Sequence, residues 1–192
     1  KNLLVFLPLI LSHQLNQPQL LIINTAAFIS FCFCASSVYL LNDLLDLGSD
    51  RAHQTKSKRP FATGSLPLKI GLLGTPVLFA ASLLLALFVG LDFLLAVLLY
   101  WLVTCLYSFY LKRVFLVDVV TLAFLFTMRV IAGSAAIGVV TTDWLLAFTG
   151  FLFLGLAVVK RVIELTNLKS QGLTTTEGRS YSVDRLQLIT II

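Results

Sequence analysis

Long apolar stretches set off by short polar or basic segments constrain this chain more than any other feature. They run over residues 1–15, 20–41, 70–89, 93–111, 117–139 and 144–159, and a seventh begins near Leu186. A helix that crosses a bilayer takes roughly 20 mostly apolar residues. Most of the stretches meet that length, the first is short, and Trp144 stands at the start of the sixth as an interfacial anchor. The expected fold is all-α: a polytopic bundle of about six transmembrane helices plus the start of a seventh.

Composition points the same way. Of 192 residues, 58% are hydrophobic and 12% charged. A soluble domain carries about 45–50% apolar and about 25% charged residues. With so few polar residues to face water, the surplus apolar surface calls for lipid. The chain has no initiating Met and opens in apolar sequence, so residues 1–192 are expected to be one transmembrane domain truncated at both ends. No leader can be read. Cys32, Cys34 and Cys105 all fall within apolar stretches. They are expected to be small buried residues, since their spacing fits neither a metal site nor a disulfide framework.

The net charge is +5, and its distribution gives an orientation. Lys1, the 43–69 segment with Arg51, Lys56, Lys58, Arg59 and Lys69, the turn at Lys112 and Arg113, and the 160–185 segment with Lys160, Arg161, Lys169, Arg179 and Arg185 all fall on one side. The loops on the other side, 12–19, 90–92 and 140–143, hold no Lys or Arg. The basic side is therefore expected to be cytoplasmic, in a multi-pass protein of the inner or plasma membrane. This bias follows topology and calls for no nucleic-acid partner. Arg129 is the exception, midway along the fifth stretch. A charge there is costly and needs a polar cavity or a partner, so it reads equally as a substrate contact or as a packing pair. The small residues at 132–138 that follow it read as a close helix–helix contact.

The chemistry concentrates at Asn42-Asp43-Leu44-Leu45-Asp46-Leu47-Gly48-Ser49-Asp50-Arg51, where the second stretch leaves the membrane. On a helix, Asp43, Asp46 and Asp50 share one face. A solvated acidic helix end is the plain reading. Against it, the acids leave an apolar helix at its C-terminal end, where the macrodipole disfavours anions. A basic run, Lys56-Ser57-Lys58-Arg59-Pro60, follows at once. Carboxylates that crowd together call for a hard cation such as Mg²⁺, which takes oxygen ligands and substrate phosphates. Acids for a metal beside bases for phosphate make a diphosphate site. A transporter subunit would also have many helices and an intramembrane charge. Its site, however, would lie near the midplane at interrupted helices, whereas these polar residues gather at one face.

Asn42-Asp43-x-x-Asp46-x-x-x-Asp50, followed by Arg59-Pro60 and Gly64, resembles the first aspartate-rich motif of the UbiA superfamily of membrane prenyltransferases. The resemblance covers essentially the whole chain, and the family's nine helices would place the last two or three beyond it. It implies that Asp43, Asp46 and Asp50 hold Mg²⁺ against a diphosphate leaving group, with Asp46 and Asp50 central to catalysis and Asn42, Arg51, Lys58 and Arg59 at the substrate. The family's second motif has the form Asp-x-x-x-Asp. Here that place reads Lys160-Arg161-Val162-Ile163-Glu164, with one acid and two bases.

That departure, together with Tyr107-Ser108-x-x-Leu111-Lys112-Arg113-x-x-x-x-Asp118 and Gly178-Arg179-x-Tyr181, resembles the polyprenyl-phosphate phosphoribosyltransferase branch of the family. The branch would take a diphosphate-bearing small molecule, phosphoribosyl pyrophosphate, and a polyprenyl phosphate lipid held in the bilayer, as in cell wall biosynthesis. Glu164 is then the remaining acid of the second motif, and Lys112, Arg113, Arg129, Lys160, Arg161, Arg179 and Tyr181 are expected at the phosphates. Each basic residue also reads as a topology anchor or loop charge, and Asp118 as a helix cap. Prenyl transfer from a polyprenyl diphosphate to an aromatic or other acceptor is the alternative. The 42–50 and 160–164 segments are expected to serve one site. Asp92, Asp143, His13 and His53 are given no role.

Overall fold

The computed structural model describes residues 1–52, 55–114 and 116–170, with side chains through Asn167. A 3₁₀ helix, Asn2–Phe6, runs into α1 (Leu7–Leu11). Then follow α2 (Pro18–Leu45), α3 (Leu47–Ala52), a 3₁₀ turn at Lys56–Lys58, α4 (Pro60–Thr63), α5 (Leu68–Val89), α6 (Leu91–Phe109), a 3₁₀ turn at Leu111–Arg113, α7 (Val117–Ile137) and α8 (Asp143–Ser170). No strand occurs among the described residues. The five long helices, α2 and α5 to α8, are each long and apolar enough to cross a membrane.

Two boundaries differ most from the sequence expectation. Stretch 1–15 is not one spanning helix. Its helical part is Asn2–Leu11, with Pro8 in the first turn of α1 and a left-handed His13 (φ 56°) beyond its end. Proline cannot supply the amide that would continue a helix from the preceding turn. At the other end, α8 continues to Ser170 rather than stopping at 159. Charge ends an apolar stretch but not a helix: Lys, Arg, Glu and Leu are all good helix formers, and no Gly or Pro intervenes. Lys160, Arg161 and Glu164 therefore lie on a helix and not in a loop.

The described residues divide into two compact units, one of Lys1–Thr104 with Met128–Thr141, the other of Cys105–Thr127 with the helix α8 and the residue before it. In the first, α2 and α5 pack antiparallel. Gly71 comes against Leu44, Gly74 against Leu40, and Ser30 Oγ donates to the Ser82 carbonyl at 2.8 Å. Small residues let the two backbones approach closely in lipid. Phe31 of α2 is fully buried and packs on Phe93 and Tyr100 of α6, with ring centroids 6.4 and 4.6 Å away. In the second unit, Val119 of α7 packs with Ala157 and Leu165 of α8, backed by Leu122, Leu154, Val158 and Val162. Phe126 stacks on Phe153 at 5.0 Å.

The exterior is apolar. Leu72 and Phe88 of α5 are 69% and 71% exposed. Surface of this kind over whole helices belongs against lipid, so the protein is integral to a membrane.

Candidate active site

The acidic motif lies where α2 gives way to α3. α2 ends at Leu45, and Asp46 is its C-cap, with φ −91° and ψ 9°. Helical hydrogen bonding nearly carries through the joint. The Asp46 amide donates to the Asn42 carbonyl at 2.9 Å, and the Asp50 amide to the Asp46 carbonyl at 2.8 Å. The motif thus spans two helices meeting at Asp46, rather than one straight face.

Arg59 is held over this joint by its own local sequence. As the residue before Pro60, it is kept out of the helical region and takes φ −64°, ψ 146°. Pro60 then opens α4, where its missing amide costs nothing. Gly64 closes that helix in the left-handed conformation (φ 78°), which glycine adopts without strain. Phe61, 3% exposed, pins the turn against Gly71 of α5. The motif Arg-Pro-x-x-x-Gly is therefore a rigid one-turn bracket with Arg59 at its head. Arg51 ties α3 to it, donating from Nε to the Ala62 carbonyl at 3.3 Å.

From that bracket, one nitrogen of Arg59, Nη1, reaches Asp43 Oδ1 and Asp50 Oδ2, each at 2.8 Å. Asp50 is 2% exposed, and burying a carboxylate without such a partner is costly. Asn42 Oδ1 is also buried, with no hydrogen-bond partner. Lys58 is exposed on the 3₁₀ turn before the bracket. Among the described residues, no three Asp, Glu, His or Cys side chains converge as a ready metal cage. The donor set nonetheless suits a hard cation. All the candidate ligands are oxygens, one amide oxygen is orphaned, and two carboxylates already converge on a single positive charge.

The second unit holds a buried ion cluster. Arg161 of α8 is 1% exposed and Asp118, in the first turn of α7, is 0% exposed; their Nη2 and Oδ2 are 2.7 Å apart. Arg161 also donates from Nη1 to Glu164 one turn along α8. Asp118 is thus more than a helix cap, and Arg161 has two acidic partners. Lys160 and Arg113 are exposed and Lys112 half-buried.

Arg129, in the first unit, is 6% exposed. It donates from Nε to Asn2 Oδ1 at 3.2 Å and from Nη2 to the Tyr100 hydroxyl at 2.8 Å. Sequence reasoning passed over Asn2 and Tyr100. It also passed over Asn24, fully buried on α2 with both amide atoms unpartnered. Asparagine within an apolar helix was the signal available. Arg179, Tyr181 and His53 lie outside the described residues.

The fold is thus a membrane-spanning helical bundle with carboxylates and an arginine gathered where α2 ends. The profile of the UbiA prenyltransferase family matches residues 3–176, and the chain belongs to that family. It is 32% identical, over 86% of its length, to the decaprenyl-phosphate phosphoribosyltransferase of Mycolicibacterium smegmatis, of which it spans 52%. It is 37% identical, over 94% of its length, to the uncharacterized protein y4nM of Sinorhizobium fredii, of which it spans 35%. A UbiA homologue from Archaeoglobus fulgidus, solved bound to GPP and Mg²⁺, shares the fold with a TM-score of 0.73 at 22% identity, covering 86% of this chain and 58% of that one. The chain thus spans only part of each relative's length.

Proposed function

We propose that the whole protein is a Mg²⁺-dependent transferase that moves the 5-phosphoribosyl group of phosphoribosyl pyrophosphate onto a polyprenyl phosphate, at the cytoplasmic face of the membrane. The observation that carries a diphosphate chemistry is the convergence of Asp43 and Asp50 on Arg59 at the end of α2. The phosphoribosyl subtype is supported by the one-third identity to an enzyme of that name and by Lys160, which stands where the family's second motif carries an acid.

In this reading the bond between ribose C1 and the diphosphate oxygen breaks, and the diphosphate leaves with the electron pair. A lipid-phosphate oxygen then forms the new bond to C1. Charge grows on the leaving oxygens and on C1 together, so groups aimed at those oxygens stabilise the transition state more than the ground state. Asp43, Asp46, Asp50 and the Asn42 amide oxygen would hold Mg²⁺, which supplies Lewis-acid neutralisation of the leaving diphosphate. Arg59 contacts two of those carboxylates, and with Arg51 and Lys58 it is assigned to the diphosphate, through charge-assisted hydrogen bonds. Lys112, Arg113 and Lys160 are assigned to the remaining phosphate groups, and Glu164 to the acid of the second motif. Arg179 and Tyr181 are assigned to the substrate on sequence alone. For Arg129 we propose a role in holding the walls of the site, through Asn2 and Tyr100.

Prenyl transfer is the second reading, favoured by the likeness to a fold solved with GPP. The two part in one experiment. Membranes containing the full-length protein are incubated with phosphoribosyl pyrophosphate labelled in the sugar, or with a labelled prenyl diphosphate, and the lipid is extracted. Sugar label in a polyprenyl-phosphate product supports the first reading. Label leaving only the prenyl diphosphate supports the second.

A further inference from the structure

We propose that Arg59 is a stand-in cation: in the metal-free protein its guanidinium holds Asp43 and Asp50 together, and Mg²⁺ displaces it, freeing the guanidinium to grip the diphosphate. This rests on the metal reading above and concerns how the site is kept ready for its ion.

A single nitrogen lies 2.8 Å from one oxygen of each carboxylate, so the guanidinium fills the space between the two residues that would hold the cation. Two carboxylates this close, one of them 3% exposed, would otherwise repel each other and move apart. An arginine in that place holds both in position, so the ligands are preorganised before any metal arrives. The same bridge is an obstacle to the metal, because cation and guanidinium cannot occupy it together.

The side chain is built to leave. Its backbone is fixed by Pro60, the buried Phe61 and Gly64, so only the side chain need move. That side chain is 41% exposed, with room to turn outward. A displaced Arg59 would then stand next to the bound cation as a fork of donors suited to phosphate. Diphosphate and metal would thereby assist each other's binding, since each offers one half of the Arg59–carboxylate pair a new partner.

The test uses the full-length protein in lipid nanodiscs, with Mn²⁺ as the metal probe, read by loss of the free-ion EPR signal, and inorganic pyrophosphate as the anion probe. Arg59→Gln should bind Mn²⁺ alone about tenfold more tightly than the wild type, which is about 1.4 kcal/mol. It should also lose most of the tightening that pyrophosphate gives the wild type. Unchanged or weaker Mn²⁺ binding by a folded Arg59→Gln protein overturns the exchange. Asp50→Asn separates the two layers: if it binds Mn²⁺ as the wild type does, the metal reading itself is wrong.

A second measurement needs no variant. Phenylglyoxal labelling of Arg59, followed by peptide mass spectrometry, should rise severalfold when Mg²⁺ is added alone and fall again when pyrophosphate joins it. A labelling rate indifferent to Mg²⁺ overturns the proposal, and this result decides alone if Arg59→Gln does not fold.

Discussion

Arg161 and Asp118 form an ion pair 2.7 Å long with side chains 1% and 0% exposed. It joins the first turn of α7 to the last third of α8 in the second unit. Removing one member of such a pair leaves a buried charge without its counter-charge, which costs about 3–5 kcal/mol, whereas replacing both with apolar residues of similar size is often close to neutral. Arg161→Met and Asp118→Leu should each lower the yield of folded protein and its unfolding temperature in detergent. The double variant should recover much of the loss. Equal destabilisation by the double variant and the sum of the singles would show that the pair contributes no coupling.

Lys160 offers the contrast on the same helix, since it is exposed. Lys160→Ala should leave the unfolding free energy within about 0.5 kcal/mol of the wild type, as surface substitutions do. It should raise the KM for the phosphate-bearing substrate. An unchanged KM would remove Lys160 from the substrate site.

Gly133 of α7 lies against the backbone of the N-terminal 3₁₀ helix. A β-carbon there would come 2.1 Å from the Val5 carbonyl oxygen. No rotamer relieves a clash with backbone, so the two segments must part. Gly133→Ala is expected to cost about 1–3 kcal/mol by overpacking, read as earlier thermal aggregation in detergent. Wild-type stability in this variant would mean that the N-terminal segment moves away at no cost.

Tyr100 supplies the hydroxyl that Arg129 Nη2 reaches at 2.8 Å. Tyr100→Phe keeps the ring packing on Phe31 and deletes one acceptor of a buried guanidinium. The expected loss is about 1–3 kcal/mol, seen in an unfolding midpoint, with restoration by no added metal or substrate.

Asp46→Ala and Asp50→Ala should each lower turnover of the full-length protein by at least about 10²-fold, the scale of losing one major electrostatic contact to a transition state. Membrane insertion should be intact. Chelation of divalent cations should have the same effect on the wild type. Full activity in either variant, or after chelation, would exclude the Mg²⁺ assignment.

Sequence by itself determined the class and the ends of most of the helices. Apolar length is a one-dimensional property, so α5 and α7 begin and end within two residues of where the hydrophobic stretches do. The family was legible for a related reason: Asn42, Asp43, Asp46, Asp50, Arg59, Pro60 and Gly64 lie within one short segment, and local spacing survives without knowledge of the fold. Where charge interrupts an apolar run, as at Lys160 on α8, sequence misplaced the boundary, because helix propensity continues past the point where hydropathy falls. Tertiary structure alone decided what each charge touches. Arg59, Arg129 and Arg161 look alike in sequence, as bases near or within the membrane. One bridges the two carboxylates of the acidic motif, one is bound by an asparagine and a tyrosine, and one is buried against Asp118, 43 positions earlier in the chain. A buried charge takes its partner from whichever helix packs beside it, and packing is a property of the folded chain rather than of any local stretch.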